Sequence, residues 1–290
     1  MHIDIYLEHL PAITRALDAH RAAFYFNNAL FITSRLAIPS GFRIEELDGG
    51  LMLESPNRWR SVLPLTTDRD DYVRAVRQAI QPGILMLRLP RWIEPYVAPH
   101  ALHPMWPDYI GSTRVLQQME GKRFKSMRRR LRNVHTSGRT NIITLTPEHA
   151  PQAAQIAYDW YRAREHVLGT MYLEAENTWL FRNLGWVFDH IPSSWGIGIE
   201  VDGVLQAVNL SCVLSDTIWC CHTERYRPNI LNGCNQLAFR EACRVVHPDR
   251  HPWVNDGSAD APEIPGVDNL ASFKARLSET ILQPFQMLPT

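Results

Sequence analysis

The chain has 290 residues, of which 45% are hydrophobic and 21% charged, so it has a core to bury and a length that suits about two domains of roughly 150 residues. That makeup excludes a disordered or fibrous chain. Thirty basic residues cancel thirty acidic ones, which excludes a uniformly basic nucleic-acid binder and leaves local patches open.

From Met1 to Arg15 there is neither a basic leader nor an unbroken apolar run, so no signal peptide is read there. No window reaches the roughly 18 consecutive apolar residues of a membrane-spanning helix. A cytoplasmic protein is expected. Its five cysteines, Cys212, Cys220, Cys221, Cys234 and Cys243, are odd in number and lack a C-x-x-C pair, which fits reduced thiols better than a disulfide framework.

The first half predicts a helix over Ala12 to Tyr25, a strand Phe42 to Leu47, a turn at Asp48-Gly49-Gly50 and a return strand Leu51 to Glu54. Asp68 to Gln81 reads as an amphipathic helix with Tyr72, Val73, Val76 and Ile80 on one side, followed by the apolar strand Ile84 to Leu89. A basic helix comes next. Nine of the chain's cations and the single acid Glu120 lie between Arg114 and Arg139. Phe124, Met127, Leu131 and Val134 recur there at spacings of three and four, one buried stripe that leaves most arginines facing outward. Seven cations in the eleven residues from Lys122 to Arg132 repel one another, and a phosphate backbone is the commonest partner that offsets such a run. A solvated face paired with acidic neighbours is the alternative.

The second half predicts helices near 147 to 166 and 173 to 184, then an antiparallel meander. Gly196 to Val201 turns at Asp202-Gly203, a two-residue hairpin signal, into Val204 to Leu210, and Ser215-Asp216 turns into Thr217 to Glu224. Gly233 to Val246 is a helix ended by Pro248, and His251 to Asn255 a short strand. Helix, meander, helix and strand thus occur twice, which predicts two copies of one α/β fold. The junction is placed near Ser137 to Thr140, giving domains 1–138 and 139–290.

Pro107-Asp108-Tyr109-Ile110, then Leu116, then Gly121-Lys122-Arg123-Phe124-Lys125-Ser126-Met127-Arg128 resembles the signature of the soluble catalytic part of phosphatidylglycerol lysyltransferases. Downstream, Asn255-Asp256-Gly257, Gly266, Leu270 and Phe273-Lys274 is similar to the closing segment of that group and of the related peptidoglycan-branching Fem transferases. The resemblance spans about residues 30 to 280. It implies tandem GNAT-like domains, each a mixed, largely antiparallel sheet flanked by helices. It also implies transfer of an amino acid from aminoacyl-tRNA to an amine or hydroxyl of a small-molecule, peptide or lipid-headgroup acceptor. The chain departs from the group at Arg129, where an Asn is usual, at Asp256 to Asp260, where an acidic run is usual, and at Ala271, where an Arg is usual. No membrane half is read in it, so free-standing relatives of natural-product pathways describe it at least as well as the lipid-modifying enzymes.

Aminolysis of an activated ester needs a deprotonated nucleophile, a stabilised oxyanion and a proton for the leaving ribose oxygen. The resemblance places Lys274 at the oxyanion or a phosphate, although the same lysine fits a helix surface. Asp256, at a strand end, fits a group that orients or deprotonates the nucleophile, or a turn residue before glycine. Glu224 and His222, two apart on one strand, are expected to point the same way as an acid/base pair or a polar pair at a sheet edge. Lys122, Arg123, Lys125, Arg128, Arg129 and Arg132 form the expected tRNA ridge. Cys220 and Cys221 face opposite ways. Tyr158, Trp160, Tyr161, Trp179, Trp186 and Trp195 fit core packing or a platform for a terminal adenine. Cys243, His247 and His251 are spaced by four, but Pro248 breaks the helix that would align them, so no metal is expected. No cofactor beyond the charged tRNA is expected, since the chain lacks a P-loop and a G-x-G-x-x-G turn. An acyl-CoA N-acyltransferase remains the alternative on the same fold, weakened because Arg225 to Cys234 holds one glycine where that class has a glycine-rich pyrophosphate turn. A non-catalytic RNA-binding module is the third reading.

Overall fold

A computed structural model of the chain describes residues 2–38, 41–163, 178–191, 193–227, 231–258 and 273–289. Gly266, Leu270 and Ala271, residues 173–177 of the helix expected near 173 to 184, and 228–230 of the turn after the second meander lie outside the described residues.

The strands in chain order are β1 (Arg43–Leu47), β2 (Gly50–Glu54), β3 (Trp59–Pro64), β4 (Leu85–Leu89), β5 (Leu102–Pro104), β6 (Asp108–Ser112) and β7 (Thr140–Thr144). They continue with β8 (Ser194–Val201), β9 (Val204–Val213), β10 (Ile218–Tyr226), β11 (Trp253–Ser258), β12 (Thr280–Leu282) and β13 (Phe285–Met287). Eight helices matter below: α1 (His2–Ala19), α2 (Ala29–Ala37), α3 (Arg69–Ala79), α4 (Thr113–Gln118), α5 (Lys125–Thr136), α6 (Ala150–Arg162), α7 (Leu184–His190) and α8 (Cys234–Val245).

The strands form two sheets, in the orders β1-β2-β3-β4-β13-β5 and β12-β6-β11-β10-β9-β8-β7. Each sheet repeats one pattern. In the first, the antiparallel meander β1-β2-β3 leads through α3 to β4, parallel to β3. In the second, β7 to β10 lead through α8 to β11, parallel to β10. These mixed, largely antiparallel sheets with flanking helices are the twofold α/β architecture that the element order predicts. Sheet membership changes between Pro104 and Asp108, upstream of the junction expected at residue 138. The halves also exchange strands, since β13 pairs with β4 while β6 pairs with β11.

Local sequence explains most elements. The Asp202-Gly203 turn has both residues at positive φ, 52 and 75, as the two-residue hairpin demands. Asp68 caps α3 by accepting from the amides of Asp70 and Asp71. The first helix, expected from Ala12, instead begins at His2 and ends at Ala19. Pro11 removes one backbone donor inside it, yet Tyr6, Ile13 and Leu17 share a buried stripe that holds the turns on both sides of the proline. The stripe Phe124, Met127, Leu131 and Val134 is buried as expected, and it packs with Leu237, Phe239 and Cys243 of α8. So α5, although it comes from the first half of the chain, belongs to the core of the second sheet. All five cysteines are buried and free; Cys220 faces one core and Cys221 the other.

Both parallel pairs are short and end alike. Pairing stops at Arg60 with Met86 in the first sheet and at Cys220 with Asn255 in the second. Directly afterwards β4 carries one extra residue between Met86 and Leu89, opposite Met287 and Phe285, and β11 carries one between Asn255 and Ser258, opposite Ile110 and Asp108. Such a bulge kinks the strand and re-aims a side chain.

Candidate active site

The kink in β11 opens a notch between it and β10, outside the carboxyl ends of two parallel strands, where open α/β sheets collect their ligands. Asp256 is the first residue beyond the last pair. Gly257 follows at φ 73, and a Cβ there would lie 2.9 Å from the Tyr25 ring, so only glycine fits.

Glu224 reaches the same notch through a second irregularity. The β9–β10 register shifts between Cys221 and Thr223, so strict alternation fails at His222. The expectation that His222 and Glu224 point the same way is therefore corrected. His222 stacks on Tyr25, 5.8 Å between ring centres, whereas Glu224 lines a cavity on the α8 side with Met127, Phe239 and Asp256. Nor is this a sheet edge, since β10 lies between β9 and β11. Burial, followed by the charges of Arg225 and Arg35, pulls His222 down to about 3, so its imidazole is neutral at neutral pH.

The cavity is about 20 Å³, room for one water, and Met127, Glu224, Gln236, Asp256, Phe273 and Leu277 are among its walls. Lys274 stands beside it on the helical turn of residues 273–277. Its side chain is only 13% exposed, so it is not a helix-surface lysine. Lys274 Nζ donates to the backbone oxygen of Asp256 and lies 3.8 Å from its carboxylate. Burial raises Asp256 and the lysine opposes the rise. Glu224 is pushed up to about 8, by burial first and the Asp256 charge second, with Lys274, Arg225 and Asn209 opposing. Two carboxyls thus sit in one cavity with split proton affinities: Asp256 beside a cation, Glu224 keeping its proton at neutral pH. Among the described residues Glu224 Oε1 has no hydrogen-bond partner.

Several supporting residues escaped the sequence reading. Asn209, opposite Glu224 in the register, donates to Cys221 Sγ at 3.0 Å and accepts from Ser211 Oγ at 2.7 Å. Arg225 donates to the Glu224 carbonyl at 2.7 Å and the Tyr161 hydroxyl at 2.8 Å, its guanidinium 4.3 Å from the Trp160 ring centre. Behind Asp256, Asn255 bonds to Asp108 at 3.0 Å and accepts from the Gly257 amide at 2.8 Å. Tyr25 donates its amide to Asp108 at 2.5 Å and its hydroxyl to the His222 carbonyl. Burial raises Asp108 to about 6 against the bonds from Asn255 and Tyr25. Asp108 was visible only as a motif letter; Tyr25 had no signal, since its partners lie far away in sequence.

The basic helix meets this site. A second cavity of about 60 Å³ is lined by Arg123, Arg130 and Arg276 and shares Met127, Gln236, Phe273 and Leu277 with the first. Lys122, Lys125, Arg129 and Arg132 are exposed. Two members of the ridge have partners inside the protein. Arg123 pairs with Glu279, and Arg128 donates to the carbonyls of Met119 and Gly121 at 2.6 and 2.8 Å, closing the end of α4.

Most of the aromatic group packs internally: Trp179 on Trp186 at 5.5 Å and Trp195 on Trp219 at 5.5 Å, while Tyr158 is exposed. Cys243 is buried in the second core and His247 is exposed beside Asp249. Among the described residues no group of three or more His, Cys, Asp or Glu side chains converges as a metal site.

A family model of the phosphatidylglycerol lysyltransferase C-terminal region matches residues 97–287. No curated protein matches the sequence. Among solved structures, a conserved protein of unknown function from Bacteroides thetaiotaomicron shares 14% identity over 98% of this chain and 97% of its own, at a TM-score of 0.77. The C-terminal domain of a putative lysylphosphatidylglycerol synthetase from Agrobacterium fabrum shares 12% over 97% and 93%, at 0.65. FemX shares 8% over 91% and 92%, at 0.60. These likenesses concern the fold alone, two mixed sheets flanked by helices. The match over residues 97–287, which takes in the basic helix, both carboxyls and Lys274, shows that the chain belongs to the phosphatidylglycerol lysyltransferase C-terminal family and is an aminoacyltransferase.

Proposed function

We propose that the chain moves an amino acid from charged tRNA to an amine or hydroxyl of a small-molecule, peptide or lipid-headgroup acceptor, with no cofactor beyond the tRNA. The observation that carries this reading is the shared wall between the arginine-lined cavity and the one holding Glu224 and Asp256. A tRNA end following the phosphate-binding ridge would bring its ester to the carboxyls.

In this reading the acceptor attacks the ester carbonyl carbon. The new bond forms there as the bond to the ribose oxygen breaks. Glu224 takes the proton from the attacking amine or hydroxyl and returns it to the departing ribose oxygen, a role matched to a carboxyl that titrates near 8. Asp256, held by Lys274, orients the nucleophile, and the ammonium offsets charge on the tetrahedral oxygen. The ridge Lys122, Arg123, Lys125, Arg128, Arg129 and Arg132 holds the tRNA, with Arg123 and Arg128 doubling as structural ties.

The acyl-CoA alternative places a pyrophosphate on the amides at the start of α8. The start of α8 is covered in this chain: a Cβ at Gly233 would lie 2.9 Å from the backbone oxygen of Arg130, so α5 packs directly against it there. This favours the tRNA reading. The deciding experiment incubates the protein with a mixture of charged tRNAs and a cell extract as source of acceptor. Discharge of one species that needs both the extract and Glu224 supports the proposal. Discharge no faster than spontaneous hydrolysis for every species sinks it and leaves the RNA-binding module.

A further inference from the structure

Arg88 occupies in β4 the place that Gly257 occupies in β11. Each lies two residues past the last parallel pair, inside the same kind of bulge, and each has left-handed backbone, φ 61 for Arg88 and 73 for Gly257. Left-handed φ favours glycine because a Cβ crowds the neighbouring carbonyl. A long side chain kept in that conformation marks a position where the side chain itself is needed.

The side chain is 6% exposed. Among the described residues it makes no ion pair, and its Nε and Nη1 have no hydrogen-bond partner. Its guanidinium instead lies against rings, 4.7 Å from the centre of Phe26, 5.0 Å from Trp59 and 5.4 Å from Phe31. Buried Arg35 of α2 stacks on the same Phe31 at 4.9 Å, so one phenyl ring carries two cations. Burial first, then the Arg35 charge, lowers Arg88 to about 9, with Asp108 opposing. A guanidinium whose Nε and Nη1 lack partners among the described residues, desolvated and next to a like charge, is matched by one class of group: an oxyanion that accepts from those donors. The notch is near. Asp108 feels the charges of both Lys274 and Arg88, and Phe26 follows Tyr25, which packs on Gly257.

We propose that Arg88 anchors a carboxylate or phosphate group of the acceptor, framed by Phe26, Phe31 and Trp59. That the group belongs to the acceptor rests on the transferase reading; that Arg88 binds an oxyanion does not.

The test needs no tRNA, so its failure and the failure of the transferase reading are separate results. Acetate and inorganic phosphate are titrated in turn into the full chain by calorimetry, beside Arg88→Gly and Arg88→Lys. Glycine suits the backbone here, as Gly257 does at the matching place, so Arg88→Gly keeps the bulge. Saturable 1:1 binding of one anion, weakened at least tenfold by Arg88→Lys and lost in Arg88→Gly, supports the site. Acetate as the ligand indicates a carboxylate on the acceptor, phosphate a phosphoryl group. Binding to the basic ridge persists in Arg88→Gly and is recognised by that. Affinity unchanged in Arg88→Gly, or saturation by neither anion, overturns the proposal. Should Arg88→Gly unfold, Nε–H resonances of 15N-arginine-labelled wild-type protein decide. The resonance that Arg88→Lys lacks must shift to saturation with one probe, and its failure to move with either overturns the site.

Discussion

The two sheets use one backbone device for two purposes. Both end a brief parallel pairing in a bulge, and the two bulge residues are Leu87 and Arg88 in the first sheet but Asp256 and Gly257 in the second. Four residues past the last pair on the partner strand stands Pro64 in the first and Glu224 in the second. The second notch gains two carboxyls and a lysine. The first puts an apolar residue and a proline at those places and keeps a cation in the left-handed position. The backbone kink therefore supplies a place, and the residue types at two or three positions decide what chemistry occupies it.

The largest expected effect breaks the second notch. Glu224→Gln keeps the shape and removes the proton carrier, so the transfer rate should fall by about 100- to 10,000-fold with tRNA affinity unchanged. Leu87→Ala, at the matching bulge of the first sheet, should leave the rate nearly as it was. Single-turnover transfer on both variants checks the contrast, and equal losses would mean that the notch is merely structural. Lys274→Ala comes next, at about a hundredfold, the usual worth of one fixed donor at a developing oxyanion. Its melting temperature must be measured beside the rate, since Lys274 also ties down the Asp256 carbonyl.

Much of this contrast was legible beforehand. The meander, the crossing helix and the parallel strand were readable twice because alternation, Asp-Gly turns and helical stripes are local signals. Asp256, Lys274 and Glu224, which the structure gathers around one cavity, were singled out beforehand, the first two through motif order. What escaped depends on pairing between distant strands. No local pattern says that β13 completes the first sheet and β6 the second, or that a register shift at His222 turns Glu224 toward α8. Nor could the stripe of α5 say which sheet it would cover. That choice is what brings the basic helix to the carboxyls.

Gly257 sharpens the comparison on the side of stability. Gly257→Ala forces a Cβ against the Tyr25 ring at left-handed φ, and should cost about 2 kcal/mol. Urea titration checks it. A loss below a few tenths would show that Tyr25 yields freely, and that the glycine is not what shapes the notch.

The next effect is about tenfold and has a sign in two measurements. With Glu224 titrating near 8, its carboxylate fraction rises from about one-tenth at pH 7 to about nine-tenths at pH 9, and the transfer rate should follow. Stability should move the other way. An unfolded glutamic acid loses its proton near 4.5, the folded one only near 8, so the contribution of this group falls as pH rises between the two. A pH–rate profile that is flat between 7 and 9, or one that survives in Glu224→Gln, would move the proton transfer to another group.

The smallest effect separates two neighbours on the ridge. Arg129 is exposed, so Arg129→Ala should remove one phosphate contact, reducing the salt slope of tRNA binding by about 0.7 and leaving the melting temperature unchanged. Between 50 and 200 mM salt one such contact changes affinity by roughly two- to threefold. Arg128 instead holds two carbonyls at the end of α4, so Arg128→Ala should cost about 1 kcal/mol of stability as well. Filter binding over a salt series, with a melt on each protein, reads both. If the two variants alter slope and stability alike, the division of the ridge into free cations and structural ties is wrong. If neither alters the slope, tRNA does not follow α5, and the shared wall between the two cavities loses its meaning for the transfer.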